Sequence, residues 1–206
     1  MNNNNHNDKI STLILLDWDD TLFPTSWVMR HNINLLNSYN KWKYIPVFKE
    51  LDKTLYSFLQ NLKQYGKILI ITNATADWIN CSVSVLPKTK PLIDTIKIIS
   101  ARELFESKYS DMMEWKKNTF KYVIGKEIHN NNKLMNIISI GDADYEYRAL
   151  IDLYRWNRKN KKLLKSIKLM NNPSQKMLID QLVVLNKAIP DICTKSKHID
   201  WNFRRI

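Results

Sequence analysis

Two hydrophobic patterns alternate along the chain. Near-continuous apolar runs lie at 12–16, 67–71, 96–99 and 136–140, with a weaker one at 163–169. Runs this short and this unbroken predict strands buried on both faces of a parallel sheet. Between them apolar residues recur every three or four positions. Phe48, Leu51, Leu55, Phe58 or Leu59, and Leu62 predict a helix opened by Pro46 and stopped by Gly66. A shorter helix is expected near 26–37. Trp115, Phe120, Val123 and Ile124 predict one over 111–128, and Tyr147, Leu150, Ile151 and Tyr154 another over 144–156. Leu178, Leu182, Leu185 and Ile189 predict a last helix, capped by Asn172 with Gln175 three residues on, and ending at Pro190. Strands alternating with helices predict a three-layer α/β sandwich around a parallel sheet of about five strands. Residues 1–8 read as an Asn-rich disordered tail. Residues 9–206 read as one domain, with a basic strand–helix extension from about 157.

The strands end in polar residues at what the topology makes one edge. The first ends in Asp17-Trp18-Asp19-Asp20-Thr21, the second in Thr72-Asn73, the fourth in Gly141-Asp142-Ala143-Asp144-Tyr145-Glu146. In open α/β sheets ligands bind outside these carboxyl ends. Acids converging there from two strands call for a cation, because buried like charges repel. With no His or Cys among them, the oxygen donors point to a hard ion, Mg2+.

Asp17-Trp18-Asp19-Asp20-Thr21-Leu22-Phe23 resembles the first motif of the haloacid dehalogenase (HAD) superfamily, an apolar strand followed by Asp-x-Asp-x-Thr. Thr72-Asn73 is similar to its second motif and Gly141-Asp142-x-x-x-Glu146 to its fourth. The third motif is a lysine, for which Lys116 is the candidate and Lys117 the neighbouring rival. The order holds over about residues 10–156. The stretch from Asp17 to Trp27, with Ile99-Ser100-Ala101-Arg102 and Trp115-Lys116, is similar to an uncharacterised eukaryotic-type branch. The resemblance implies the aspartate-nucleophile phosphatase branch. Asp17 would be the nucleophile and Asp19 the general acid and base, its carbonyl also binding metal. Asp142 would be a metal ligand through its side chain. Glu146, or Asp144 in its place, would orient metal-bound water. The Thr72 hydroxyl and Asn73 N–H would hold phosphoryl oxygens, Lys116 would offset charge, and Thr21 would brace the loop. Asp20 departs from the pattern, since Gly is common there.

Fifty residues separate Thr21 from Thr72, and 42 separate Asn73 from Lys116. The helices and strand predicted there use up both gaps, so no large cap domain is expected. An open site suits a large or accessible phosphorylated substrate, a phosphoprotein or a nucleic-acid end. The alternative reading is a catalytically weak HAD-like module that binds an anionic partner.

Composition adds two things. The 206 residues carry 32 Lys and Arg against 20 Asp and Glu, a net of +12. The excess is concentrated in residues 151–206, where 13 basic residues face 4 acidic ones. Such a patch can hold phosphate-rich partners, and Lys159, Lys161, Lys162 and Lys165 are its candidate cluster. The abundance of Asn, Lys and Ile is also what AT-rich codon drift produces. No run approaches the roughly 20 apolar residues of a membrane span. Cys81 and Cys193 have no metal or redox spacing, and the polar N-terminus lacks an apolar leader segment. An intracellular, cytoplasmic protein is expected.

Overall fold

The computed structural model describes residues 11–37, 41–156 and 162–203. The tail at 1–8 and the start of the basic extension, including Lys159 and Lys161, lie outside the described residues. In chain order the elements are β1 (Ser11–Leu16), α1 (Thr25–Arg30), a 3-10 turn (Lys41–Tyr44), α2 (Ile45–Lys63), β2 (Lys67–Thr72), α3 (Ala76–Val83), α4 (Lys90–Ile93), β3 (Lys97–Ser100), α5 (Ala101–Phe105), α6 (Met112–Asn130), β4 (Leu134–Gly141), α7 (Asp144–Trp156), β5 (Leu163–Lys168), α8 (Gln175–Thr194) and β6 (Ile199–Asn202).

The strands form one parallel sheet in the order β3-β2-β1-β4-β5-β6. It has one strand more than expected. Side-chain alternation sorts each strand into two cores. Ile14, Leu16, Ile68, Ile70, Ile138 and Ile140 pack with apolar residues of α2, α3 and α8 on one face. Leu13, Leu15, Leu69, Ile71 and Ile137 pack with those of α5, α6 and α7 on the other. The result is three layers. Chain direction across the sheet reverses between β1 and β4, which places the switch point where Asp17 and Asp142 emerge.

Local chemistry explains the boundaries. A Cβ on Gly66 would lie 2.3 Å from the Thr12 carbonyl oxygen, so the turn into β2 closes only over a glycine. The last helix differs from expectation at both ends. Its cap is Ser174, whose Oγ accepts from Met177 N at 3.1 Å, while Asn172 takes a left-handed φ of 50° in the turn before. Pro190 sits inside the helix rather than ending it. It has no N–H for the Asn186 carbonyl four residues back. Asn61 Nδ2 from α2 donates to that carbonyl at 3.1 Å instead.

Lys165 is fully buried, contrary to its expected place in a surface cluster. Its Nζ donates to Ile192 O at 2.5 Å and Lys195 O at 2.7 Å, which satisfies carbonyls at the end of α8. Burial lowers its pKa. Lys168, Lys176 and Lys195 pair with Asp144, Asp180 and Asp191. Among the described residues, four of the segment's basic side chains are thus already committed to carbonyl oxygens or carboxylates.

Candidate active site

Asp17 follows Leu13 and Leu15 in strand alternation, so its side chain falls on the α6 face of the sheet. Its N–H donates to Ile140 O at 3.0 Å, which extends the β1–β4 ladder by one step. Lys116 rises from α6 to meet it. Lys116 is 1% exposed, and its Nζ donates to Asp17 Oδ1 at 2.5 Å and Ile71 O at 2.6 Å. It also pairs with Glu146 Oε1 at 2.9 Å. Burial works against its charge, but the Asp17 and Glu146 carboxylates together outweigh it, so its pKa is raised. Lys116 stays protonated at any working pH.

The structure separates the rivals. Lys117, one position on, turns outward and pairs with Glu114 at 3.0 Å and Asp152 at 3.1 Å. Asp144 is exposed and pairs with Lys168, which lowers its pKa. Glu146 is buried, because α7 turns it back over Gly141. A Cβ on Gly141 would lie 2.5 Å from Glu146 Cγ, so glycine is what leaves room for the carboxylate.

Asp17, Asp19, Asp20, Asn73, Lys116, Asp142 and Glu146 line a cavity of about 210 Å3, with Met112, Ala143 and Tyr145 at its walls. Thr72 is not brought to it. Thr72 is fully buried, its Oγ1 accepts from Ala74 N at 3.0 Å, and it borders a neighbouring hollow with Ser100 and Glu103. The reason is again alternation: Thr72 follows Ile68 and Ile70 onto the opposite face. Asn73 donates to Met112 O at 3.3 Å, while its buried Oδ1 has no partner among the described residues. Thr21 Oγ1 donates to Asp142 Oδ1 at 3.3 Å and so ties the first loop to the fourth strand. Trp18 points away, fully buried, and stacks on Phe23.

Asp20 has a φ of 54°, the left-handed region that favours glycine. Asp occupies it by bonding locally: its carboxylate accepts from Ser26 N at 2.9 Å and from Ser26 Oγ. This accounts for an acid where the resembled motif has glycine.

Five carboxyl groups thus face one buried ammonium. Burial, then the charges of Asp17, Glu146 and Asp20, push Asp142 up to about 8. Burial and then Asp17 raise Asp19, and burial is likewise the main cause for Asp20 and Glu146. Neither Glu146 oxygen accepts an aligned hydrogen bond, despite the ion pair. Among the described residues no three Asp, Glu, His or Cys side chains are arranged to hold a metal by themselves. Mg2+ does not require that. It is commonly held by one or two carboxylates, with water and substrate phosphate completing the shell. An all-oxygen cluster with excess negative charge fits such an ion.

A second cavity of about 330 Å3 lies between α7, β5 and β6, bordered by Tyr147, Leu150, Tyr154 and His198. It lacks the strand-end acids. Trp78, outside the motifs, and Thr25, inside the 17–27 stretch but given no role there, both bond to Asp19.

No protein-family model matches the chain, and no curated protein does. Among solved structures, the chain is similar to the HAD domain of effector protein Lem4 from Legionella pneumophila. That match has a TM-score of 0.51 and 13% identity, over 90% of this chain and 97% of that one. A HAD family hydrolase from Deinococcus radiodurans R1, with bound phosphate and sodium, matches at a TM-score of 0.43 and 10% identity. It covers 92% of this chain and 100% of that one. The likeness to the Lem4 domain is one of fold: the chain has a HAD-like fold. No helix of the described residues is long and apolar enough to cross a membrane.

Proposed function

We propose that this HAD-fold chain is a Mg2+-dependent phosphatase that hydrolyses phosphate monoesters through an aspartyl-phosphate on Asp17. One observation supports this above the others. Lys116 is buried between Asp17 and Glu146 in an acid-lined cavity at the sheet's switch point. A lysine held so deep has no solvent to serve; its charge is directed at the carboxylates and at whatever anion joins them.

A phosphate dianion entering this cavity meets net negative charge. The side chains of Asp17 and Asp142 and the carbonyl of Asp19 would hold the cation, with Glu146 orienting its water. When bound, Mg2+ supplies charge neutralisation for the phosphoryl group. The rest falls to the chain's own residues. Asp17 Oδ1 is engaged by Lys116, and Oδ2 has no hydrogen bond among the described residues. Oδ2 attacks phosphorus, the ester P–O bond breaks, and Asp19 protonates the departing oxygen. Asp19, now a carboxylate, takes a proton from water as that water attacks phosphorus. The P–O bond to Asp17 breaks, inorganic phosphate leaves and both acids return to their starting states. Asn73 and Lys116 hold the phosphoryl oxygens.

Among the described residues the segment between β1 and β2 is α1, the 3-10 turn and α2, and no folded cap stands over the site. Exposed Met112 at the cavity wall leaves the mouth accessible. This supports a large or accessible phosphorylated substrate. The test is an EDTA and Mg2+ titration against an aryl phosphate. Activity should vanish in excess EDTA and return with Mg2+; full activity in EDTA would contradict the proposal.

A further inference from the structure

Asp19 is held from outside the acidic motifs. Trp78 Nε1, in the first turn of α3, donates to Asp19 Oδ1 at 2.8 Å. Thr25 Oγ1 donates to the same oxygen at 2.5 Å, and the indole N–H also reaches Thr25 Oγ1 at 3.3 Å. Asp19 Oδ2 has no hydrogen bond among the described residues, and Asp19 belongs to the cavity wall. Its residue is half-buried, whereas Asp17, Trp18 and Asp20 around it are buried.

Trp78 is itself fixed. Thr75 caps α3 by accepting from Trp78 N at 3.4 Å, and the indole meets Phe23 edge-on at 6.1 Å. A second indole bond runs the other way: Trp18 Nε1, from the loop, donates to Ser82 Oγ on α3 at 3.0 Å. Two tryptophans therefore pin α3 and the acidic loop together, each donating into the other's element.

We propose that Trp78, together with Thr25, is a positioning residue that aims Asp19 at the leaving group. This rests on the phosphatase reading above. An indole N–H is a donor only. Two donors on Oδ1 fix that oxygen as an acceptor and stop the carboxyl group from swinging about its last torsion. The oxygen left to serve the ester is Oδ2, on the cavity side. A general acid contributes only when its proton lies within hydrogen-bond reach of the departing atom. The fixed oxygen is thus the means by which α3, which supplies no residue to the cavity wall, bears on the chemistry.

The test compares two substrates that differ in their need for a proton. An alkyl phosphate expels an alkoxide that must be protonated; 2,4-dinitrophenyl phosphate expels a stable anion. The quantity read is kcat/KM, which covers steps through phosphoryl transfer to Asp17. Trp78→Phe keeps the ring against Phe23 and deletes the donor. It should lower kcat/KM for the alkyl phosphate about tenfold, the rate equivalent of one net hydrogen bond. For the dinitrophenyl ester the loss should stay within about twofold, because acid assistance is not needed there. Thr25→Val should show the same selective loss and Thr25→Ser should not. That pair carries the test if Trp78→Phe does not fold. Equal losses on both substrates, or none on either, would overturn the proposal. Wild-type protein inactive on both with Mg2+ present would overturn the phosphatase reading itself, and the proposal with it, before any substitution is made.

Discussion

Lys116 carries more of the site than any other side chain, because two buried carboxylates depend on it. Removing one partner of a buried ion pair leaves an uncompensated charge and costs about 3–5 kcal/mol. Lys116→Met should therefore destabilise the protein by an amount in that range in urea unfolding. Adding Asp17→Asn and Glu146→Gln should recover most of the loss, since an all-neutral cluster has no charge to compensate. Failure of the triple variant to recover would mean that Lys116 acts by packing instead.

Asp142 gives a pH prediction whose sign follows from its environment. Its value in the fold is about 8, against an ordinary 3.8. A carboxyl group raised by folding costs nothing when both states are protonated. The cost grows as pH rises from the ordinary value through the folded one, then levels off. Without divalent ions the protein should lose stability between about pH 4 and pH 8. Asp142→Asn should flatten that loss, and Mg2+ should offset it in the wild type only. Melting temperatures across this range, with and without Mg2+, provide the measurement; identical slopes for variant and wild type would contradict it. At this scale the sequence marked the acids, Thr21 and Lys116 with Lys117 as its rival, but not the partners of Asp19. Lys116 and Lys117 are adjacent and chemically equal, and only the face of α6 that packs on the sheet separates them. Thr72 fitted its motif, yet strand alternation turns its side chain to the other core. Trp78 reads as one more apolar residue. Its single sequence signal is a tryptophan three residues after a capping threonine, close behind a strand end.

At the scale of elements, α8 tests how a proline is accommodated inside a helix. Asn61→Ala removes the donor that serves the Asn186 carbonyl and should cost about 1 kcal/mol. In a Pro190→Ala background that carbonyl regains a helical N–H, so the cost of Asn61→Ala should shrink. Equal costs in the two backgrounds would show that the two sites are uncoupled. The sequence predicted an end at Pro190 because an interior proline is ordinarily expensive, and the compensating donor, Asn61, lies 125 positions before the Asn186 carbonyl it serves. Strands β1, β2 and β4 were legible for the opposite reason: burial on both faces makes them near-continuous apolar runs, while β3 and β5 were read from shorter and weaker ones. The sixth was not. Ile199–Asn202 is a four-residue edge strand in which half-buried and exposed residues alternate, and so short an alternation resembles a loop.

At the scale of the whole molecule, the fold concentrates acids at one edge, while several of the described basic residues are engaged elsewhere. The described part of the basic segment spends Lys165 on capping a helix and pairs Lys168, Lys176 and Lys195 with acids. A patch that reads nucleic acid needs its charges free and clustered. Duplex oligonucleotides should therefore bind weakly at low salt and not measurably at physiological salt; tight binding that persists there would contradict this. The acids behave otherwise. The order of strands brings residues 17, 116, 142 and 146 into one cavity at the switch point, and the central claim is that Asp17 acts there as a nucleophile. The most direct measurement is rapid acid quenching during turnover of a phosphorus-labelled aryl phosphate with Mg2+, followed by peptide mapping. The account predicts label on Asp17, more of it in Asp19→Asn, and neither label nor turnover in a folded Asp17→Asn variant. Label on another residue, or near wild-type turnover by Asp17→Asn, would contradict it.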